Sequence, residues 1–597
     1  MLENRREDKL NGADVEPQII AFHEQLAEEQ RLYNLRESTK DALHLARRSG
    51  SLSASEVKEL KSDLKSANAL FKEYERIKRN GEPSISQGIG NLRAQKAYET
   101  LAERIIEGSE ENRAIWLDRK DIVSSGPEEL SKKILALKKA GITTIYIECD
   151  NGGYALYDSK LLKKNPDLEK WSTWDPLREA IDTAHANNMK VEAWTKVFAV
   201  CNRALDEQFK TNYPNRKFPP AGPVLEEHNQ ATPDNPYGDW ALRMYDGRLP
   251  ERTHDVFLDP ANPQASKFAQ DMLLEIAERY PDIDGIQYDY IRYPFHNEGM
   301  GLNHNNWKQF QAIYPQYKNT ALPSLPSEIR GQMLRDWNEW KNKQIDDFVL
   351  DTSNKMRALN PKLDVSAAVY PCDLNDTVRQ QWSRWIKNGS VDTLNPMTYV
   401  PHDVTSRDAE FTPAFERKFK SDIKEIRHES NDKGVLLPGI MVSRVNPKGM
   451  MREIEIVREL KLPGETLFAT SVLDSRRLRE LELDQARRAF KDFENLSRIA
   501  LKSIANEPKM QMEFKQYEQE VQVAAKSIEL LAKQEPGGKI RPDFRRLPNT
   551  DSNRGSAIER VRSVKNKLDG LLDQHPISKS AWTKRMSQLL TQSVESL

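Results

Sequence analysis

Between about residues 112 and 474 the chain repeats one texture eight times: a short apolar run, then an amphipathic helical stretch. The runs are AIWLD (114–118), TTIYIEC (143–149), KVEAWTKVF (190–198), DGIQYDYIRYP (284–294), LDVSAAVY (363–370), VDTLNPMTYV (391–400), VLLPGIMV (435–442) and ETLFATSV (465–472). Their length and their β-branched and aromatic content mark them as strands. The stretches between them, PEELSKKILALKKAG and DPLREAIDTAHANN among others, carry apolar residues at helical spacing. Eight strands each followed by a helix make the pattern of a parallel (β/α)8 TIM barrel. An open doubly wound sheet is the competing arrangement, but it offers no reason for a count of eight. The expected fold class is therefore α/β, a TIM barrel with α-helical regions on both sides.

Outside the barrel the pattern is helical. At roughly 150 residues per domain, 597 residues allow about four units. Residues 1–108 form the first helical region. There Ser53 and Glu56 fit a capping box, and Val57, Leu60, Leu64, Ala67 and Phe71 share one helix face. NGEPSISQGIGN, around residues 80–91, reads as a break between helices. Residues 109–475 make the barrel, 476–534 a second helical region, 535–555 a Pro-, Gly- and Arg-bearing linker, and 556–597 a last helical segment. The flanks either dock the barrel to a larger protein assembly or pack back onto it.

Composition removes several function classes. Ninety basic and 91 acidic residues nearly cancel, so the surface has no overall charge that would collect nucleic acid or anionic lipid. Three cysteines (Cys149, Cys201 and Cys372) make neither a disulfide framework nor a CxxC site. The ten histidines show no HExxH, and neither a GxxxxGK[ST] loop nor a GxSxG elbow occurs. No metal and no cofactor are expected. No run is long enough to span a membrane, and the start, MLENRREDKLNGADVEP, lacks the apolar core of a secretory signal. The expected setting is the cytoplasm, or a virion if the chain is phage-encoded.

Barrel chemistry sits at the C-terminal strand ends, and alternate strand residues point inward. Ile145, Ile147 and Cys149 suit the helix-facing side of the second strand, which turns Thr144, Tyr146 and Glu148 inward. The same parity turns in Glu192, Trp194 and Lys196, then Gln287 and Asp289, and then Asn395, Met397 and Tyr399; Asp118 closes the first strand. Two carboxyls over an aromatic-lined mouth are the equipment of glycoside hydrolysis. One ionised group supports or attacks the reacting sugar carbon, and a protonated one serves the leaving oxygen. Asp289 is the candidate nucleophile or base, Glu148 the leading acid and Asp150 its reserve. Trp194, Lys196, Tyr290, Arg292, Asn395 and Tyr399 are the candidate substrate contacts. The alternative is a structural network pairing these carboxyls with Arg292, Lys196 or Arg113, in a barrel serving as a glycan-binding or structural scaffold. The long segment from about Ala199 to His254 reads as a wall over the cleft or as a surface insertion.

The segment FLDPANPQASKFAQDMLLEIAERYPDIDGIQYDYIRYP resembles the bacterial glycosyl-hydrolase-like family 10 barrels. RAIWLD, ECDNGGYALY, VEAWTKVF and VDTLNPMTYV follow the family's strand signatures in order, over about residues 112–474. The resemblance implies a glycosidase acting on a bacterial polysaccharide, peptidoglycan strands stripped of peptides above all. Carried over by position, Asp289 is the strand-four acid and Tyr399 the strand-six tyrosine; Met397 stands where the family often has Gln. DGIQYDYIRYP and NPMTY are also similar to family 18 chitinases, but Ile291 stands at the position of their proton donor and Gln287 replaces an Asp.

Overall fold

The computed structural model describes residues 54–108, 111–202, 222–228, 238–249, 255–295, 299–401, 405–502, 519–529, 550–573 and 581–597, with scattered positions in 29–43 and at 516–517. They fall into two compact units, Glu111–Glu482 and a second that joins Met1–Glu110 with Leu483–Leu597.

The first unit is the (β/α)8 barrel. Its strands are β1 (Asn112–Leu117), β2 (Thr144–Glu148), β3 (Lys190–Lys196), β4 (Gly285–Asp289), β5 (Asp364–Val369), β6 (Thr393–Pro396), β7 in two pieces (Val435–Leu436 and Gly439–Met441) and β8 (Gly464–Phe468). Every neighbouring pair runs parallel, and β1 pairs with both β2 and β8. Closure depends on β7. Its first piece pairs with β6 and its second with β8, while Leu437 N–H donates to Leu394 and the Pro438 carbonyl accepts from Thr466. Proline has no N–H for a ladder, so the strand breaks there and changes partner.

Four barrel helices open on a capping side chain followed by proline. Asp175 precedes Pro176–His185, Asn262 precedes Pro263–Arg279, Thr412 precedes Pro413–Ser430 and Asn446 precedes Pro447–Glu459. Each cap oxygen accepts a first-turn N–H, and proline costs nothing where the helix has no partner for its N–H. Outward-facing Ile115, Leu117, Ile145, Ile147, Val191, Ile286, Val365 and Leu394 are buried against the helices. Inside the ring a second cluster forms from Ala114, Trp116, Tyr146, Trp194, Ala368, Leu437 and Ala469. The inward parity expected for the second, third and fourth strands holds.

Polar groups inside the ring satisfy one another. Trp116 Nε1 donates to Gln287 at 2.5 Å, Gln287 donates to Asn395 at 3.0 Å, and Asn395 donates to the Tyr146 hydroxyl at 3.1 Å and to Thr466 at 2.8 Å. At the start of β1, Arg113 and Glu465 form a buried ion pair at 2.7 Å, and Arg113 also donates to the Ala140 carbonyl.

In the helical unit, Ala54–Arg79 and Ser84–Gly108 pack through Leu60, Phe71, Tyr74, Tyr98 and Leu101, separated by a turn at residues 80–83. The expected break is thus confined to four residues, and most of NGEPSISQGIGN is helical. Helix Ala581–Ser596 contacts Ser84–Gly108, so the two flanks come together as one unit. Helix Thr550–Asp573 begins inside the stretch read from sequence as linker; residues 535–549 of that stretch, and Ser53 of the capping box, lie outside the described residues. No described helix is long and apolar enough to cross a membrane.

Candidate active site

The C-terminal rim of the barrel gathers four carboxyls, because three strands, β1, β2 and β4, end on acidic residues or lead straight into them. Asp118 follows β1. It caps helix Arg119–Ser125 through Asp121 N–H, accepts from the Ser471 hydroxyl, and has its carboxyl raised by burial.

Glu148, the last residue of β2, accepts three hydrogen bonds: from Arg119 N–H at 2.6 Å, from Asn151 at 2.7 Å and from the Lys196 ammonium at 2.5 Å. A carboxyl surrounded by donors and paired with an ammonium is built as an acceptor and counter-charge. Asp150 lies two residues on, in a small hairpin of Asp150–Asn151 with Tyr154–Ala155. It is 2 % exposed and accepts from Lys196 N–H at 2.8 Å. Burial pushes its carboxyl up to about 7; the Lys196 charge opposes this, and the charges of Glu148 and Asp289 add to it. One residue, Lys196, therefore holds two neighbouring carboxyls, its side chain on Glu148 and its backbone on Asp150.

Asp289 closes β4. Its Oδ2 accepts from Trp194 Nε1 at 2.9 Å, and its Oδ1 from Tyr290 N–H at 2.7 Å. Tyr290 has φ of +51°, and this left-handed turn brings its amide back to the carboxyl that precedes it. Burial raises the Asp289 carboxyl; the Trp194 hydrogen bond and the Arg292 charge pull it down.

The candidate substrate contacts divide by depth. Tyr290, Lys196 and Tyr399 are half-buried at the rim. Tyr399 lies against Phe468, with the Arg444 guanidinium 5.6 Å from its ring. Asn395 is a correction: it is fully buried in the internal network below the rim, where its amide serves Gln287, Tyr146 and Thr466 rather than a substrate. Trp194 is corrected in the same direction. It is 4 % exposed, with Trp116 and Phe468 against its ring, so it acts as the hydrogen-bond donor to Asp289 and not as an open stacking face. Arg292 sits in the loop after β4 among Tyr290, Phe257, Phe295 and Tyr370. Sequence parity did not single out Phe257, Phe295 or Tyr370, because they come from loops and strand ends, where alternation stops.

Ile291 is fully buried in the core between strands and helices, so no proton donor operates from that position. The segment from Ala199 to His254 begins and is followed by a hairpin, Ala199–Asn202 with Asp255–Phe257, and contains a short helix, Pro223–His228. Its residues 203–221, 229–237 and 250–254, including most of the expected wall, lie outside the described residues.

Solved structures similar to this one include the β-galactosidases of Marinomonas ef1 (10% identity, 63% of this chain and 60% of that chain, TM-score 0.41) and Halorubrum lacusprofundi (11%, 62% and 57%, 0.40). Another is the β-galactosidase of Bacillus circulans sp. alkalophilus (12%, 63% and 56%, 0.42). The chain spans less than two thirds of the length of each of these enzymes. Among curated proteins none matches it. A family model matches residues 111–448, the stretch that holds β1 to β7 and the four rim carboxyls, and on that match the chain belongs to the glycosyl hydrolase-like 10 family.

Proposed function

We propose that the barrel is a glycoside hydrolase using Asp289 as nucleophile or base and Asp150 as general acid. The observation that carries this reading is the contrast between the two carboxyls. Asp289 has a donor on each oxygen, which suits a charged group facing a developing oxocarbenium centre. Asp150 is pushed up to about 7 and so carries a proton near neutrality, as a group delivering one to a leaving oxygen must. Glu148, the leading acid by sequence position, becomes the counter-ion that fixes Lys196. Membership of a hydrolase-like family supports the reaction class. The substrate we assign is a bacterial polysaccharide, peptide-free peptidoglycan strands, on the strength of the sequence resemblance.

A scaffold without activity is the second reading, and one observation favours it: Asp150 is 2 % and Asp289 8 % exposed. Reducing-end release from peptide-free peptidoglycan strands separates the two. Under the hydrolase reading the native chain releases reducing ends, and Asp289→Asn and Asp150→Asn each lose at least about 100-fold with folding intact. No release by the native chain from these strands or from a panel of other glycans would leave the scaffold.

A further inference from the structure

Arg292 is buried in a way that its own neighbours do not account for. It is 8 % exposed, and its guanidinium lies 4.6 Å from the Tyr290 ring centroid, 5.1 Å from Tyr370, 5.7 Å from Phe257 and 5.8 Å from Phe295. Four rings stabilise a cation through their faces, but they accept none of its N–H groups in the plane of the guanidinium. Among the described residues its one hydrogen bond is long, Nη1 to the Tyr293 carbonyl at 3.5 Å, and Nε is buried with no acceptor there. Among the described residues no carboxylate forms an ion pair with it. Asp289 is near enough to feel its charge, yet bonds Trp194 and Tyr290 instead.

A buried guanidinium with an idle Nε–H is costly unless something supplies acceptors. Nε and one Nη present two parallel N–H groups at the spacing of a carboxylate's oxygens. The aromatic surround fixes the fork, and its place three residues past Asp289, close enough for its charge to act on that carboxyl, puts it at the proposed site of cleavage. We propose that Arg292 is the subsite for a carboxylate carried by the substrate, so that the barrel selects acidic glycans over neutral ones. The inference rests on the reading of this rim as a glycan site and specifies its substrate class. In peptidoglycan strands the group would be the lactyl carboxylate on every second sugar, which distinguishes them from chitin.

Two measurements on the full chain test it. The first is binding of the uncleavable monosaccharides N-acetylmuramic acid and N-acetylglucosamine, by calorimetry. The second is kcat/KM on peptide-free peptidoglycan strands against the same strands with their carboxyls reduced. The expected result is a preference for the acidic partner of about 10- to 100-fold in each, lost in Arg292→Gln and partly kept in Arg292→Lys. Equal binding of the two sugars by the native chain overturns the inference without recourse to any variant, as does a preference that survives in Arg292→Gln. An Arg292-dependent binding preference in a chain that cleaves neither polymer would sustain the subsite and refute the hydrolase.

Discussion

Replacing Asp150 with Asn makes the barrel's stability less dependent on pH, and the size of the change follows from the burial of one carboxyl. In the fold Asp150 titrates at about 7 instead of the ordinary 3.8. The displacement is about three pH units, each worth about 1.4 kcal/mol, or roughly 4 kcal/mol in all. Because the folded-state value is the raised one, the native fold binds more protons than the unfolded chain between about pH 4 and 7. Its contribution is complete below pH 4 and is lost as pH rises to 7, after which it is constant. Asn is neutral throughout, so the stability of Asp150→Asn relative to the native chain climbs with pH. Between pH 5 and 8 the climb is roughly 3 kcal/mol, about two of the three units. Any fixed cost of the amide, which replaces an acceptor of Lys196 N–H, cancels from the slope. Urea unfolding followed by tryptophan fluorescence is the assay, since ten of the eleven tryptophans, all but Trp582, lie in the barrel unit. A difference that stays flat from pH 5 to 8 would mean that Asp150 titrates as an ordinary carboxyl, and the assignment of the acid would fall with it.

Two further substitutions probe other parts of the argument. Trp194→Phe keeps the ring packed on Trp116 and Phe468 but removes the donor to Asp289 Oδ2; the carboxyl, already raised by burial, rises further, and the acid limb of kcat/KM moves to higher pH with it. A limb that stays in place would reduce Trp194 to packing. Arg113→Met strands the fully buried Glu465 and lowers stability by about 3–5 kcal/mol, whereas Arg113→Met with Glu465→Leu recovers most of the loss, as read from urea midpoints.

The strand-helix alternation made the barrel legible because both periods are local. A residue's neighbours at i+2 or at i+3 and i+4 decide which face it takes, and no distant contact is needed. Asp289 was legible for the same reason, being inward by parity and last on its strand. Parity failed to measure depth. Asn395 and Asp289 share an inward direction, but Asn395 lies in the internal network and Asp289 at the rim, a difference set by how far each strand extends against its neighbours. The break at Pro438 was written in the chain, yet its use to hand β7 from β6 to β8 appears only when the ring closes.

Local sequence therefore settled the eight-unit barrel, the direction of its side chains and the presence of acidic residues at the strand ends, all of which follow from short-range geometry. The tertiary structure decided how each of those acids is surrounded. Glu148 and Asp150 are two residues apart, and one is met by three donors while the other is buried beside two like charges. That difference comes from Arg119, Lys196 and Asp289 on three other strands or the loops after them. Electrostatic environment is the sum of such distant neighbours, and no stretch of sequence contains it.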